Sequence, residues 1–294
     1  MCQLLAMNSK NPADIGFSFA GFRARGGLTD DHIDGFGIAY FEPTGLRLYY
    51  DNRAAMDSPL AELVSQTRVK AANTIVHIRK SDDQLLCNAH PFTREIWGEA
   101  WVFSHNGKMT IRDASDSDPI NQATGKQGKS GHYIPVGDTD SEFAFCYLLN
   151  QLKDRFEHKP DSQTLYVFLT EQCRFLANYG LFNCLLSNGE WMLAYADTLL
   201  FHVTRQAPFG SASLIDVDVT MDFETVNEVS DVMTILATTP LTDDEEWQQL
   251  AVNECIIFAD GHKVYQDLPK SPVYLSIEKG LEIAKNAWSM CQLT

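Results

Sequence analysis

Short apolar segments bounded by Gly, Asn, Asp or Pro recur along this chain, and their lengths constrain the fold more than any other feature. They fall at 3–7, 36–41, 46–50, 73–78 and 100–104, and again at 182–187, 191–196, 200–204, 232–237 and 254–258. Each is five or six residues long and either alternating or uniformly apolar, which reads as strand. Helical spacing is expected at 55–65, 140–153, 164–179 and 277–290. The start at 140 is the best marked. Thr139-Asp140-Ser141-Glu142 is a capping box, with the Thr139 hydroxyl as N-cap and Glu142 reaching back to the Thr139 amide. Strands grouped in two blocks with helices between suit an α+β layered sandwich better than a regular βαβ parallel sheet.

Composition enters where it excludes. With 294 residues, 45% hydrophobic and 21% charged, the chain can bury one sizeable core, and a single domain over 1–294 is expected. The formal net charge of −16 argues against a nucleic-acid partner or an anionic membrane surface. No apolar run approaches the ~18 residues of a membrane span, and the N-terminus lacks a basic segment before its short apolar run. The seven cysteines are scattered, odd in number and without a CxxC pair, so a reducing cytoplasm is the expected compartment. Residues 113–137, rich in Asp, Ser, Gly and Lys, are expected to form a surface loop.

Several residues could carry chemistry, each with a plain structural alternative. Cys2 follows the initiator. Removal of Met1 would leave a thiol and a free α-amine on one residue, and an amine of pKa ~7.7–8.0 can act as general base for its own thiol. Equally, Cys2 could be a small buried hydrophobe at a strand start. Arg79 sits where a strand runs into a loop and could grip a carboxylate or make a surface ion pair. Ser104-His105-Asn106-Gly107 ends another strand. It could be a hairpin turn, or the Asn106 side-chain amide and the Gly107 N–H could form an oxyanion hole. Asp140 could interact with its helix dipole or face an ammonium group. His77, His90, His105 and Cys87 lack a second ligand pair of zinc spacing, and no nucleotide-binding glycine loop or EF-hand is present. Neither a metal nor a cofactor is expected.

Taken in order, Met-Cys at 1–2, His-Ile-Arg at 77–79, Asn-Ala-His-Pro-Phe at 88–92, Ser-His-Asn-Gly at 104–107 and Gly-Asp-Thr-Asp-Ser-Glu at 137–142 resemble the class II glutamine amidotransferases. These are glutaminase domains of the N-terminal-nucleophile hydrolase superfamily, and the resemblance is closest to the stand-alone YafJ-type branch. Segments 207–210 and 238–242 also resemble that branch. The resemblance implies a four-layer αββα sandwich with two antiparallel sheets between helical layers. It implies Cys2 as nucleophile, Asn106 and Gly107 as the oxyanion hole, and Arg79 and Asp140 as holders of the α-carboxylate and α-ammonium of glutamine, with His105 beside them on the substrate side. Two features depart from the family: Lys80 stands where many members carry an aromatic residue, and 81–87 differs from the covering loop of the better-known members.

The expected reaction is cleavage of the glutamine γ-carboxamide to glutamate and ammonia through a γ-glutamyl thioester. One alternative is a hydrolase of γ-glutamyl peptides or conjugates; another, of a different class, is a non-catalytic glutamine sensor, for which Cys2 would be superfluous. No segment remains for a synthase domain, so ammonia is expected to reach water or a separate acceptor protein.

Overall fold

The computed structural model describes residues 2–291 apart from 82, 116 and 125–130. The first half of the chain contains β1 (Gln3–Asp14), α1 (Gly16–Ala24), β2 (Phe36–Glu42), β3 (Gly45–Asp51), α2 (Pro59–Thr67), β4 (Lys70–Ile78), β5 (Phe92–Ile96) and β6 (Glu99–Asn106). Three helices follow, α3 (Pro119–Thr124), α4 (Asp140–Arg155) and α5 (Ser162–Leu176). The second block of strands is β7 (Asn183–Ser187), β8 (Met192–Ala196), β9 (Phe201–Gln206), β10 (Ser211–Ser213), β11 (Thr220–Asp222), β12 (Val232–Ala237), β13 (Gln248–Gln249), β14 (Glu254–Ala259) and β15 (His262–Asp267). The last element is α6 (Ile277–Cys291).

Two large antiparallel sheets result. One has seven strands in the order β13-β9-β12-β1-β4-β2-β3, the other six in the order β15-β14-β8-β7-β6-β5. Side-chain parity stacks them. Leu4 and Ala6 of β1, Ile75 of β4 and Leu236 of β12 pack with Val102 of β6, Leu185 of β7, Ala194 of β8 and Ile256 of β14 in one buried cluster. The alternate residues face outward, because successive side chains on a strand point to opposite faces. Leu5, Met7, Val76 and Ile235 pack against Phe17, Phe19 and Phe22 of α1 and Ala61 and Val64 of α2. Trp101, Phe103, Leu186 and Tyr195 pack against Phe143, Phe145 and Leu149 of α4 and Leu165 and Leu169 of α5. Helices therefore cover both outer faces, and the molecule is an αββα sandwich.

The capping box forms by halves. The Thr139 hydroxyl accepts the Glu142 amide at 3.0 Å, but buried Glu142 does not return to Thr139. Its carboxylate accepts the Gly137 amide at 2.7 Å and pairs with Arg94. Residues 113–137 are not wholly loop. Helix α3 lies within them and buries Ile120 against the core, while 116 and 125–130 lie outside the described residues. Helix α1, absent from the sequence expectation, packs Phe17, Phe19 and Phe22 into the core while glycines begin and interrupt it, and its Arg23 pairs with Glu62 of α2. Among the described residues, no helix is long and apolar enough to cross a membrane.

Candidate active site

Parity also places the candidate residues. Thr238 directly follows β12 and has the parity of Leu236; Cys2 precedes β1 with the parity of Leu4; Asn106 closes β6 with the parity of Val102. All three therefore face the space between the sheets. The registers Gln3↔Ile78 and Leu5↔Ala237 bring Cys2 beside Arg79 and Leu4 beside Thr238.

Cys2 is half-buried. Its Sγ accepts the Lys80 amide at 3.4 Å and lies 3.6 Å from the Lys80 carbonyl. Burial pushes its thiol up, opposed by the N-terminal ammonium, the Lys80 amide and the Arg79 guanidinium; the Asp140 carboxylate adds to the rise. Arg79 and Asp140 are thus both close enough to act on the sulfur's charge.

Arg79 is buried and already engaged. Its Nη1 and Nη2 donate to the two carboxylate oxygens of Asp83 at 3.0 and 2.9 Å, and Nη1 also donates to the Asp83 carbonyl at 2.6 Å. Partial burial pushes the Asp83 carboxyl up, but Arg79, the Leu85 amide and Asn88 outweigh it and bring it down to about 2. Buried Asn88 bridges onward. Its amide donates to Asp83 at 3.3 Å and to Asp138 at 2.7 Å, and its oxygen accepts the Asp138 amide at 3.1 Å. Gly137 is required by this close approach, since a Cβ there would lie 2.1 Å from Asn88 Oδ1.

Asn106 is fully buried. Its carbonyl accepts from Asn183 Nδ2 at 2.9 Å, and its own Nδ2 lies 3.3 Å from Thr238 Oγ1. The glycine at 107 is fixed by proximity: an added Cβ would lie 1.9 Å from the Leu181 carbonyl oxygen and 2.8 Å from His105 Nε2. Asp140, at the first turn of α4, accepts the Met109 amide at 2.7 Å and the Ser141 amide at 2.8 Å, tying the strand end to the helix. His105 has the parity of Trp101 and Phe103, so it faces α4. Its Nδ1 lies 2.8 Å from Ser141 Oγ and its Nε2 3.0 Å from the Leu181 carbonyl. A carbonyl only accepts, so Nε2 carries the proton and Nδ1 accepts from Ser141. Burial lowers its pKa, which fits the neutral ring. Both ring nitrogens are thereby used on the protein.

His77 and His90 stack between the sheets with ring centroids 4.2 Å apart, and burial lowers both, His77 to about 3. Among the described residues, the only grouping whose ligand atoms converge as for a metal ion is Asp30, Asp31 and His32, and Asp31 there is paired with Lys80.

A profile of the class II glutamine amidotransferases matches residues 1–276. The chain belongs to that family. A Haemophilus influenzae protein provisionally named as a glutamine amidotransferase is 44% identical over 268 residues, 90% of this chain and 86% of its own. The similarly named YafJ of Escherichia coli is 40% identical over 267 residues, 90% of this chain and all of its own. A solved structure described as a predicted glutamine amidotransferase from Pseudomonas aeruginosa superposes with a TM-score of 0.68 at 34% identity, covering 90% of this chain and 100% of that one. The glutamine phosphoribosylpyrophosphate amidotransferase of B. subtilis shares the fold, with a TM-score of 0.58 at 13% identity over 90% of this chain and 49% of that one. This class II amidotransferase thus has the N-terminal-nucleophile sandwich expected from its motifs. Sequence reasoning missed Asp83 and Asn183 as partners of these residues, while Ser141 lay within the 137–142 motif. Thr238 was within reach, because segment 238–242 carries the family resemblance.

Proposed function

We propose that this enzyme hydrolyses the γ-carboxamide of glutamine, working as one glutaminase domain in a reducing cytoplasm. The observation that carries the reading is Arg79, which holds a carboxylate at two points beside the Cys2 thiol. A guanidinium grips any carboxylate in this way, and the α-carboxylate of glutamine would present its side-chain amide toward the sulfur. Asp140 is the counter-charge for the α-ammonium; the Ser141 amide donates to it, and His105 holds the Ser141 hydroxyl.

Once Met1 is removed, the Cys2 amine takes the thiol proton and the sulfur attacks the carbonyl carbon of the γ-carboxamide. The developing oxyanion is held by the Asn106 side chain and the Gly107 amide, where losing one donor costs roughly 10²–10³ in rate. The C–N bond breaks as the ammonium returns its proton to the leaving nitrogen, and ammonia departs. Water then hydrolyses the γ-glutamyl thioester, releasing glutamate and restoring the thiol. Ammonia passes to water or to a separate acceptor protein.

The test is glutamate release from glutamine, run beside γ-glutamyl peptides and a Cys2→Ala control. Faster release from glutamine, abolished in Cys2→Ala, supports the reading. Release that survives Cys2→Ala refutes the nucleophile, and preference for γ-glutamyl peptides refutes the substrate. An intact mass showing Met1 retained refutes the amine's role.

A further inference from the structure

The oxyanion-hole carboxamide poses a hydrogen-bonding problem, and its solution names another residue. Thr238 is fully buried and clamps both peptide groups of Leu4: its amide donates to the Leu4 carbonyl at 3.0 Å, and its Oγ1 accepts the Leu4 amide at 2.9 Å. The same Oγ1 lies 3.3 Å from Asn106 Nδ2. With the carboxamide in that orientation, one hydroxyl receives two N–H donors. Among the described residues, Asn106 Oδ1 is then buried with no partner. A buried acceptor left without a donor loses its solvation with nothing in return.

The nitrogen and oxygen of a carboxamide have nearly the same shape, so their assignment follows from the network around them. Turning the Asn106 amide by half a rotation resolves every group. Leu4 N–H donates to Thr238 Oγ1, the Thr238 hydroxyl donates to Asn106 Oδ1, and the NH₂ takes the place where Oδ1 now has no protein partner. On the glutaminase reading, that NH₂ is then the group left free to meet a substrate oxygen. In the unrotated orientation two oxygens would face one another there.

We propose that Thr238 is the positioning residue of this oxyanion hole. Its hydroxyl has a lone pair committed to the nucleophile's strand, so its proton goes to Asn106 Oδ1 and directs the NH₂ at the substrate. One side chain thereby couples the orientation of the donor to the position of the nucleophile. The inference rests on the glutaminase reading above and adds to it the group that sets Asn106.

The test compares Thr238→Val, which keeps the shape and loses the hydroxyl, with Thr238→Ser, which keeps the hydroxyl. In glutamine hydrolysis, Thr238→Val should lower kcat by about 10²-fold, on the scale of losing one oxyanion donor, and leave KM within about threefold. Thr238→Ser should restore kcat to within a few-fold. Alkylation of Cys2 by iodoacetamide forms a C–S bond as iodide leaves and develops no oxyanion, so its rate in Thr238→Val should stay within about twofold of wild type. In an Asn106→Ala background, Thr238→Val should cost almost nothing further, because residues acting as one unit are not additive. Thr238→Ala, small enough to admit a water, takes the place of valine where valine does not fold, with the same split expected. The inference is overturned if Thr238→Val keeps full kcat, if alkylation falls in step with kcat, or if the loss persists undiminished without Asn106. A wild-type enzyme that releases no glutamate from any γ-glutamyl amide overturns the functional reading and this inference together; full activity in Thr238→Val overturns only this one.

Discussion

Asp83 occupies the guanidinium proposed to hold glutamine, and removing its charge should tighten substrate binding. The informative substitution is Asp83→Asn, which keeps the side-chain shape and an oxygen for the Leu85 amide, now accepted at 2.9 Å, while discarding the charge. The existing pair is geometrically good, bidentate at 3.0 and 2.9 Å, and the arginine side chain is only 6% exposed. Asp83 is 38% exposed, however, so solvent screens the pair, and the upper end of the range for exposed pairs, about 1 kcal/mol, is the fair figure. An internal contact of that strength is formed about five times as often as it is broken, and the apparent KM exceeds the intrinsic value by the corresponding factor. Asp83→Asn should therefore lower KM for glutamine by about fivefold with kcat little changed, and inhibition by the product glutamate should strengthen in parallel. Steady-state glutamate release across a glutamine series reads both constants. The carboxyl titrates at about 2, so the competition persists throughout the practical pH range and the KM difference should be flat with pH. An unchanged or raised KM would refute the reasoning: Asp83 would then be scaffolding its loop, and the α-carboxylate would have to be held elsewhere.

Other expectations concern the strand ends and their support. Gly107→Ala forces a Cβ to within 1.9 Å of the Leu181 carbonyl and 2.8 Å of His105, so it should lower both the melting temperature and glutamine hydrolysis, the latter by about 10² or more. The rate of hydrolysis should rise with pH through the free amine of Cys2, roughly 7.7–8.0, and should show no limb near 6.5, because burial holds His77, His90 and His105 neutral; a limb near 6.5 in a pH–rate profile would contradict this. Asp197 is raised by burial to about 6, above its unfolded value of 3.8, so its contribution to stability is full below pH 4 and is lost as pH rises toward 6. Denaturant melts of Asp197→Asn should lack that decline, leaving the variant about 2 kcal/mol more stable relative to wild type at pH 7 than at pH 4. Equal pH dependence in the two proteins would refute the raised carboxyl.

What could be read from the sequence, and what could not, divides along physical lines. Central strands such as β12 and β4 bury both faces, so their apolar runs announce them. β5, reading Phe-Thr-Arg-Glu-Ile, and β15, reading His-Lys-Val-Tyr-Gln-Asp, are sheet edges with half-polar faces and give no such signal. Helix α1 was hidden because Phe17, Phe19 and Phe22 are as much at home in strands as in helices, and only packing against the sheet decides. In the candidate site, Cys2, Arg79 and Asn106 stood out because each lies where a strand meets a loop and because their motifs occur together in the family's order. Asp83 was not. Its hold on Arg79 depends on how a polar loop turns, and no periodicity encodes that. The links from Thr238 to Leu4 and Asn106 span 234 and 132 residues, and only the closed sheets bring them together.

The division has a functional consequence. The groups proposed for the chemistry, Cys2, Asn106 and the supporting Thr238, stand at the ends of strands from both sheets, all facing the interlayer core. Their spacing is set by the packing of Leu4, Val102 and Leu236, which are fully buried and have no room to drift. The groups proposed for recognition lie just outside the sheets instead, Arg79 directly after β4 and Asp140 in the first turn of α4. Arg79 is tied through Asp83 and Asn88 to Asp138, two residues before Asp140 at the start of α4. This polar chain joins the proposed carboxylate-binding and ammonium-binding ends of the site, so displacing Asp83 from Arg79 disturbs one of the three hydrogen bonds by which Asn88 links the loops. Substitutions along the chain should therefore act on KM, and those at the strand ends on kcat. Asn88→Ala and Thr238→Val are the pair that separates the two, since each cuts one network without touching the other. If Asn88→Ala lowered kcat while leaving KM unchanged, the loops would be part of the catalytic frame, and recognition and chemistry could not be assigned to separate layers of this fold.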